Sequence, residues 1–308
     1  MSMKFAAGCL LAGMCLVVDL VVGVGPARAT YPGVNGRLAF GIDTGDGNFN
    51  VYTVKPDGEA LRQLTTSPFL EICAAYSPNG KSIAYCRGEG ASFEIWAMKA
   101  NGKQQHQVTH TGGRMLFPDY SPDGSKIVFL SVLPGEATPD IFVANADDGT
   151  GLVRLTTDPG VDRFAAWSPD GSTIAFVSNR TGVFQVWVMD ADGANPQQLT
   201  TDPATKDQVP DWSPDGTRIA YHSDATGGGD IYMMNADGTG QTRLTTDPAL
   251  DFGPAWSPDG TQIAFVSDRT PSQVVYVMNA DGTDQHPVHP YGCQAVPAWQ
   301  PLPSDDSD

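Results

Sequence analysis

Carboxylates are the side chains this sequence supplies most freely for chemistry. The chain carries 35 Asp+Glu against 18 Lys+Arg, a formal charge of −17 over 308 residues. Several of them recur at fixed places in a repeating pattern. Six residues before a Ser-Pro-Asp/Asn-Gly turn, or its counterpart, stand Glu71, Met115, Asp162, Asp207, Asp251 and Gln294. Asp119 and Asp211 stand two residues before the same turn, and Asp158, Asp202 and Asp247 open nearby Asp-Pro corners. Grouped carboxylates can attract a cationic segment of a partner or hold a hard cation through oxygen ligands, Ca²⁺ being the best match. Carboxylates in loops also bond neighbouring backbone N–H groups. Both roles are open at each of these positions.

Other residues offer less. Cys73 and Cys86 flank the Ser77-Pro78-Asn79-Gly80 turn. If Ser77 pairs with Ser82, the two cysteines fall opposite each other on adjacent strands and could form a disulfide, with Cys293 left over. The loops Asn179-Arg180-Thr181, Asp224-Ala225-Thr226 and Asp268-Arg269-Thr270 recur, which suggests a turn with an internal Arg/Asp contact. The pairs His106/His110 and His286/His289 fall at the outer rim and read as solvated. Gly80-Lys81-Ser82 resembles the end of a P-loop, but Ala75 stands where its first Gly is required. Asp190-Ala191-Asp192-Gly193 lacks the further carboxylates of a calcium loop and reads as a plain turn. The sequence has neither Gly-x-Ser-x-Gly nor His-Glu-x-x-His. No catalytic residue is nominated, no cofactor is expected, and the chain reads as a non-enzyme.

The elements that position these residues come from a repeat. Aromatic-Ser-Pro-Asp/Asn-Gly occurs at Tyr76, Tyr120, Trp167, Trp212 and Trp256, with a decayed copy at Trp299-Gln300-Pro301. Successive spacings are 44, 47, 45, 44 and 43 residues. Each copy continues into an apolar run such as Ile174-Ala175-Phe176, then Val186-Trp187-Val188-Met189, then an Ala-Asp-Gly turn and a Leu-Thr-Thr segment. Aromatic and β-branched runs between Gly/Asp turns are strands. Each repeat is therefore four short strands, here a, b, c and d, with the aromatic on a. Four antiparallel strands every ~44 residues fit the blades of a β-propeller. Pro118, Pro210, Pro254 and Pro297 lie inside strand a, which places a at an edge, because proline cannot donate to a ladder. In a propeller that edge faces the central channel. The first repeat has b, c and d but no a, and the C-terminus supplies a lone a. The expectation is an all-β, six-bladed propeller of four-stranded antiparallel blades, closed by pairing the C-terminal strand with the N-terminal blade.

Composition agrees. Gly and Pro number 34 and 24, which suits a chain that turns often. The acidic balance excludes a nucleic-acid binder and an anionic membrane surface as partners. Residues 1–29 read as a signal peptide: Lys4, an apolar run from Phe5 to Val24, Pro26, and an Ala27-Arg28-Ala29 cleavage site. Cleavage before Thr30 removes Lys4, Arg28 and Asp19 and leaves −18. Residues 30–301 form the propeller, and 302–308 a disordered acidic tail. The mature chain has no apolar run long enough to span a bilayer. It is expected to be exported, whether periplasmic, envelope-bound or extracellular, and to be monomeric.

Trp-Ser-Pro-Asp-Gly, Ile-Ala-Phe, Ile-Tyr-Met-Met-Asn-Ala-Asp-Gly and Leu-Thr-Thr together resemble the β-propeller repeats of TolB-type proteins, over nearly all of residues 31–301. TolB itself has an α/β domain before its propeller, and no counterpart is seen here, so the resemblance implies a stand-alone propeller. The a–b and c–d turns share one face and look structural. The d–a and b–c loops share the other face, and binding residues favour such loops. The function expected is protein–protein interaction or scaffolding. A protein or peptide partner, cationic in character, would bind at an acidic channel mouth formed by Glu71, Asp162, Asp207, Asp251, Asp119 and Asp211. The rival expectation is a propeller hydrolase or lyase, acting on a peptide or saccharide with carboxylates or a metal at that mouth.

Overall fold

Local turn chemistry sets the repeat. The computed structural model describes residues 30–43, 48–270, 272–288 and 296–303. The expected leader, Cys293, Gln294, His289 and most of the acidic tail lie outside the described residues. In the turn Ser121-Pro122-Asp123-Gly124, the Ser121 hydroxyl donates to Asp123 Oδ1 at 2.6 Å, and that oxygen accepts from Ser125 N at 2.9 Å. Lys126 N donates back to Ser121 Oγ at 2.9 Å. The same bonds recur around Ser168, Ser213 and Ser257. The turn is thus closed by its own side chains, as expected of Asp and Ser at these positions.

Strands follow from these turns. In the fourth repeat, a is Asp162–Trp167, b Thr173–Ser178, c Gln185–Asp190 and d Gln197–Gln198, joined antiparallel in that order. The fifth and sixth repeats pair alike. The Leu-Thr-Thr segment has a specific task. Its first Thr hydroxyl accepts the backbone N–H of a strand-c residue: Thr156 from Ile141, Thr200 from Val186, and Thr245 from Ile231, each at 3.0 Å. This holds the two-residue strand d against strand c.

The all-β propeller is as expected, but its sheets are not six separate ones. Among the described residues four four-stranded sheets stand apart, formed by the first, fourth, fifth and sixth repeats. The second and third repeats share one eight-stranded sheet. A parallel pairing of Phe93 with Arg114 fuses them, with Phe93 N donating to Gly113 O at 3.0 Å. Gly112 takes a positive φ of 71°, and a Cβ on Gly113 would press on the backbone carbonyl of Val132 in its own repeat. The C-terminal strand Ala298–Leu302 pairs antiparallel with Val34–Asp43 of the first repeat, Leu38 lying opposite Trp299.

Strand a carries an irregularity that the sequence did not announce. Register shifts occur between Ile72/Ala75, Leu116/Asp119, Arg163/Ala166, Gln208/Asp211 and Phe252/Ala255. At the same point in each bulge sits a residue with positive φ: Cys73 (60°), Phe117 (63°), Phe164 (57°), Val209 (56°) and Gly253 (63°). Such φ is uncommon for any side chain but Gly and is costly for valine. The bulge overturns the disulfide expectation. Ala75 and Tyr76 do pair with Ala84 and Ile83, but the extra residue puts Ile72, not Cys73, opposite Cys86. Cys73 and Cys86 are both buried and are not bonded to each other.

Packing between repeats falls to the strand-a aromatics. Each packs on the repeat before its own: Trp212 joins Val186 and Leu199, and Trp256 joins Ile231 and Leu244. Trp299 joins Val266, Val275 and Val277 of the sixth repeat, and its Nε1 donates to Ala255 O at 3.1 Å. At the inner edge Phe117, Phe164, Val209 and Val296 gather in one apolar cluster with Phe252. Gly253 is the small member of that circle, and a Cβ there would overlap the Val296 side chain. Gly253→Ala is expected to lower stability by about 1–3 kcal/mol, from strain and overpacking. Thermal unfolding measures this; an unchanged midpoint would mean that the inner circle has slack.

Candidate functional site

The carboxylates expected at the channel mouth are in place on strand a, but they point into protein. Glu71, Asp119, Asp162, Asp211 and Asp251 are fully buried, and Asp207 is 4% exposed. Met115 shares the position and is buried as well. Burying a charge without a partner is expensive, so each must be answered locally. Glu71 pairs with Arg87 at 2.5 Å, Asp162 with Arg180 at 3.0 Å and Asp251 with Arg269 at 2.5 Å. Arg180 and Arg269 come from the recurring b–c loops, whose Arg/Asp contact is therefore present. The loop Asn and Asp residues close on the d–a loop: Asn179 Oδ1 accepts Val161 N at 2.7 Å, and Asp268 Oδ1 accepts Leu250 N at 2.7 Å.

Asp207 differs. The fifth repeat has Ala225 where its neighbours have Arg180 and Arg269, and among the described residues no Lys or Arg forms an ion pair with Asp207. Burial raises its pKa above the ordinary carboxylate value, opposed by hydrogen bonds from Ser223 and Thr200. Burial also raises that of Asp251, against hydrogen bonds from Ser267 and Arg269 and the charge of Arg269. Asp119 and Asp211 bond across repeat junctions, accepting the backbone N–H of Trp167 at 2.9 Å and of Trp256 at 2.5 Å. The corner residues Asp158, Asp202 and Asp247 each accept an N–H two residues on, from Gly160, Ala204 and Ala249. Asp192 does the same for Ala194, as a plain turn would. Among the described residues no group of three or more His, Cys, Asp or Glu could hold a metal ion. Nor is any helix there long and apolar enough to cross a membrane.

The half-exposed residues at the inner edge of the d–a/b–c face are of another kind. Leu116, Phe117, Arg163, Gln208 and the loop residue Phe184 are partly accessible. The Arg163 guanidinium lies 3.9 Å from the Phe184 ring centre and 4.9 Å from that of Phe164, and it donates to Gln208 Oε1. Phe117 and Phe164 are in tilted contact at 5.2 Å. Sequence reading missed this cluster. Its members lie at the bulge and one residue before it, where the repeat is least regular, and Phe184 lies in a loop of variable content.

The opposite mouth is closed by the chain itself. Thr30 and Tyr31 are buried at 6% and 5% exposure. Thr30 Oγ1 lies 3.2 Å from Asp211 Oδ2 and 3.0 Å from Trp256 O, while the Tyr31 hydroxyl donates to Tyr120 O. The cavity left beside them, lined by Tyr76, Trp256, Pro258 and Trp299 among others, measures about 10 Å³, room for one water at most.

Comparison with known proteins fits this architecture. The sequence pattern of the TolB beta propeller domain matches residues 34–222 and 204–302. The chain belongs to the TolB β-propeller family. A protein TolB homolog of Chlorobium luteolum is 32% identical over 140 residues, which is 46% of this chain and 31% of that protein. A Tol-Pal system protein TolB of Anaeromyxobacter dehalogenans is 55% identical over 38 residues, 12% of this chain and 9% of that protein. The matches thus span less than a third of these relatives' lengths. Among solved structures, TolB from Acinetobacter baumannii superposes with a TM-score of 0.76 at 24% identity, covering 86% of this chain and 67% of that one. At that identity the likeness concerns the fold.

One buried residue behind the mouth departs from the repeat pattern. His222 takes the strand-b position that Val177 and Val266 hold in neighbouring repeats. Neither ring nitrogen has a hydrogen-bond partner among the described residues. Burial lowers its pKa from 6.5 to about 4, against the opposing charges of Asp224 and Asp230. The folded state therefore keeps His222 neutral, while the unfolded chain takes up a proton near pH 6.5. Stability falls as pH drops from 6.5 towards 4, by up to about 3 kcal/mol, and is unaffected by this group above 6.5. His222→Val is expected to raise the melting temperature at pH 5 and flatten its pH dependence there. An unchanged slope between pH 7 and 4.5 would show that His222 is not buried as a neutral ring.

Proposed function

We propose that the chain is an exported propeller that binds a partner protein through the face carrying the d–a and b–c loops. The observation behind this reading is the cluster of Arg163, Phe184 and Phe117, half-exposed at the inner edge of that face and backed by the buried Phe164. Arginine and aromatic side chains on a rigid frame are the residue types that dominate binding energy at protein interfaces. The carboxylates beneath them act inward, as ion-pair and turn partners. The partner we infer is a protein segment bringing apolar side chains to Phe117 and Phe184 and an acidic or carbonyl group to Arg163. That differs from the cationic partner expected from sequence, which would need the buried carboxylates to be presented. Export rests on the leader, and a place in the cell envelope on the kinship with Tol-Pal system proteins. The Tol–Pal role itself is not carried over, given how little of those relatives is matched.

We also read the six repeats as six blades of one closed ring, the fused pair counting as two. Contact between successive strands a supports this, as does Trp299 packing on the sixth repeat while its strand pairs with the first. A closed ring gives the loop face a fixed geometry without induced order.

The reading is checked by affinity capture from the native envelope with the processed chain as bait, followed by titration of the captured protein. Arg163→Ala with Phe184→Ala is expected to weaken binding by tenfold or more, the scale of about 1.4 kcal/mol lost at an interface hot spot. Full binding by that variant would contradict the proposed face. Loss of binding on Asp207→Asn with folding intact would favour the cationic partner instead.

A further inference from the structure

We propose that the a–b mouth of the channel is a binding site for a primary ammonium group, and that its occupant is the α-ammonium of Thr30 created by removal of the leader. The inference rests on the reading that cleavage falls between Ala29 and Thr30.

The geometry is specific. Thr30 bonds to strand a of the fifth repeat through Asp211 and to strand a of the sixth through the Trp256 carbonyl, while Tyr31 reaches Tyr120 on the third. The two residues therefore span the channel before the chain leaves past Pro258, whose carbonyl accepts Gly33 N at 3.1 Å. Two fully buried carboxylates, Asp119 and Asp211, belong to this mouth and not to the loop-face mouth expected for them from sequence. Burial raises the Tyr31 pKa well above 10, and the charges of Asp119 and Asp211 both add to the rise. The field at residue 31 is therefore negative from two sides. One Thr30 hydroxyl proton faces two acceptors, the Trp256 carbonyl and the Asp211 carboxylate oxygen that already accepts Trp256 N, and can serve only one well at a time. An ammonium on the same residue brings three more donors. In the uncleaved chain the same nitrogen is a neutral amide with one proton. Cleavage thus turns a weak ligand for this acidic mouth into a charged one, and a charge-assisted bond is roughly twice as strong as a neutral one. Processing would then complete the fold: the new terminus ties the third, fifth and sixth repeats together.

N-terminal threonine has a selective reaction that tests this. Periodate cleaves its 1-amino-2-hydroxy unit to an aldehyde, which an aminooxy probe captures. The exported, processed chain is treated with periodate in native buffer and in denaturant, and labelling is followed by intact mass. The α-amine of a seated Thr30 is expected to react about tenfold or more slowly in native buffer, because reaction requires local opening. Asp211→Asn should bring the native rate towards the denatured one; Asp119→Asn serves the same purpose if the first variant does not fold. Equal rates in both buffers for the unaltered chain would overturn the proposal. A mature mass that does not begin at Thr30 would also overturn it, by removing the ammonium, while leaving the loop-face reading untouched.

Discussion

The structure depends on one packing contact made over and over: the aromatic end of strand a wedged against the repeat before it. Trp212, Trp256 and Trp299 each fill a space between the b and c strands of one repeat and their own. Such side chains bury a large apolar area. A single four-stranded sheet of this size could not bury both its faces. The wedge lets each repeat stabilise its neighbour, which is the nearest-neighbour logic of repeat architectures. The turn bonds between Ser, Asp and backbone set the direction of strand a and so aim the aromatic. The bulge one step earlier bends strand a and turns Phe117, Phe164 and Val209 towards a shared apolar centre.

This arrangement also explains the charge. Much of the Asp content answers local needs, closing turns at Asp123, Asp170, Asp215 and Asp259 and capping corners at Asp158, Asp202 and Asp247. Buried Asp162 and Asp251 tie the b–c loop to strand a through Arg180 and Arg269. Asp119 and Asp211 stitch one repeat to a later one through backbone N–H groups. A strongly acidic sequence thus spends many of its charges within the fold, and the exposed inner edge of the loop face is aromatic with an arginine.

The repeat, its four strands and the edge position of strand a were legible because they rest on short-range chemistry. Ser-Pro-Asp-Gly and Leu-Thr-Thr carry their own hydrogen bonds wherever they occur. The bulge was not legible. Positive φ at Cys73, Phe164 and Val209 has no signature in residues that normally avoid it, and counting pairs through the turn therefore placed Cys73 opposite Cys86. The destination of the carboxylates was partly legible. An Arg/Asp contact is expected from sequence in the recurring b–c loops, but with Asp162 and Asp251 placed at a charged mouth; the structure pairs those same carboxylates with Arg180 and Arg269. Fusion of the second and third repeats runs through the Gly113 carbonyl at the Gly112-Gly113 corner, a local departure that a repeat average hides. Thr30 and Tyr31 lie outside the repeat, and only tertiary contact reveals where they go.

If the wedge carries the fold, its last instance should matter as much as the others, although it joins segments more than 250 residues apart in sequence. The direct measurement is thermal unfolding of the processed chain with and without the residues after about 292. Losing Trp299 and its strand exposes the sixth repeat and strips the first repeat of its pairing along Val34–Ala39. The truncated chain should melt at least about 10 °C lower, given several kcal/mol for a buried aromatic alone. An unchanged melting curve would contradict the account, since the first and sixth repeats would then be stable without the contact that joins them.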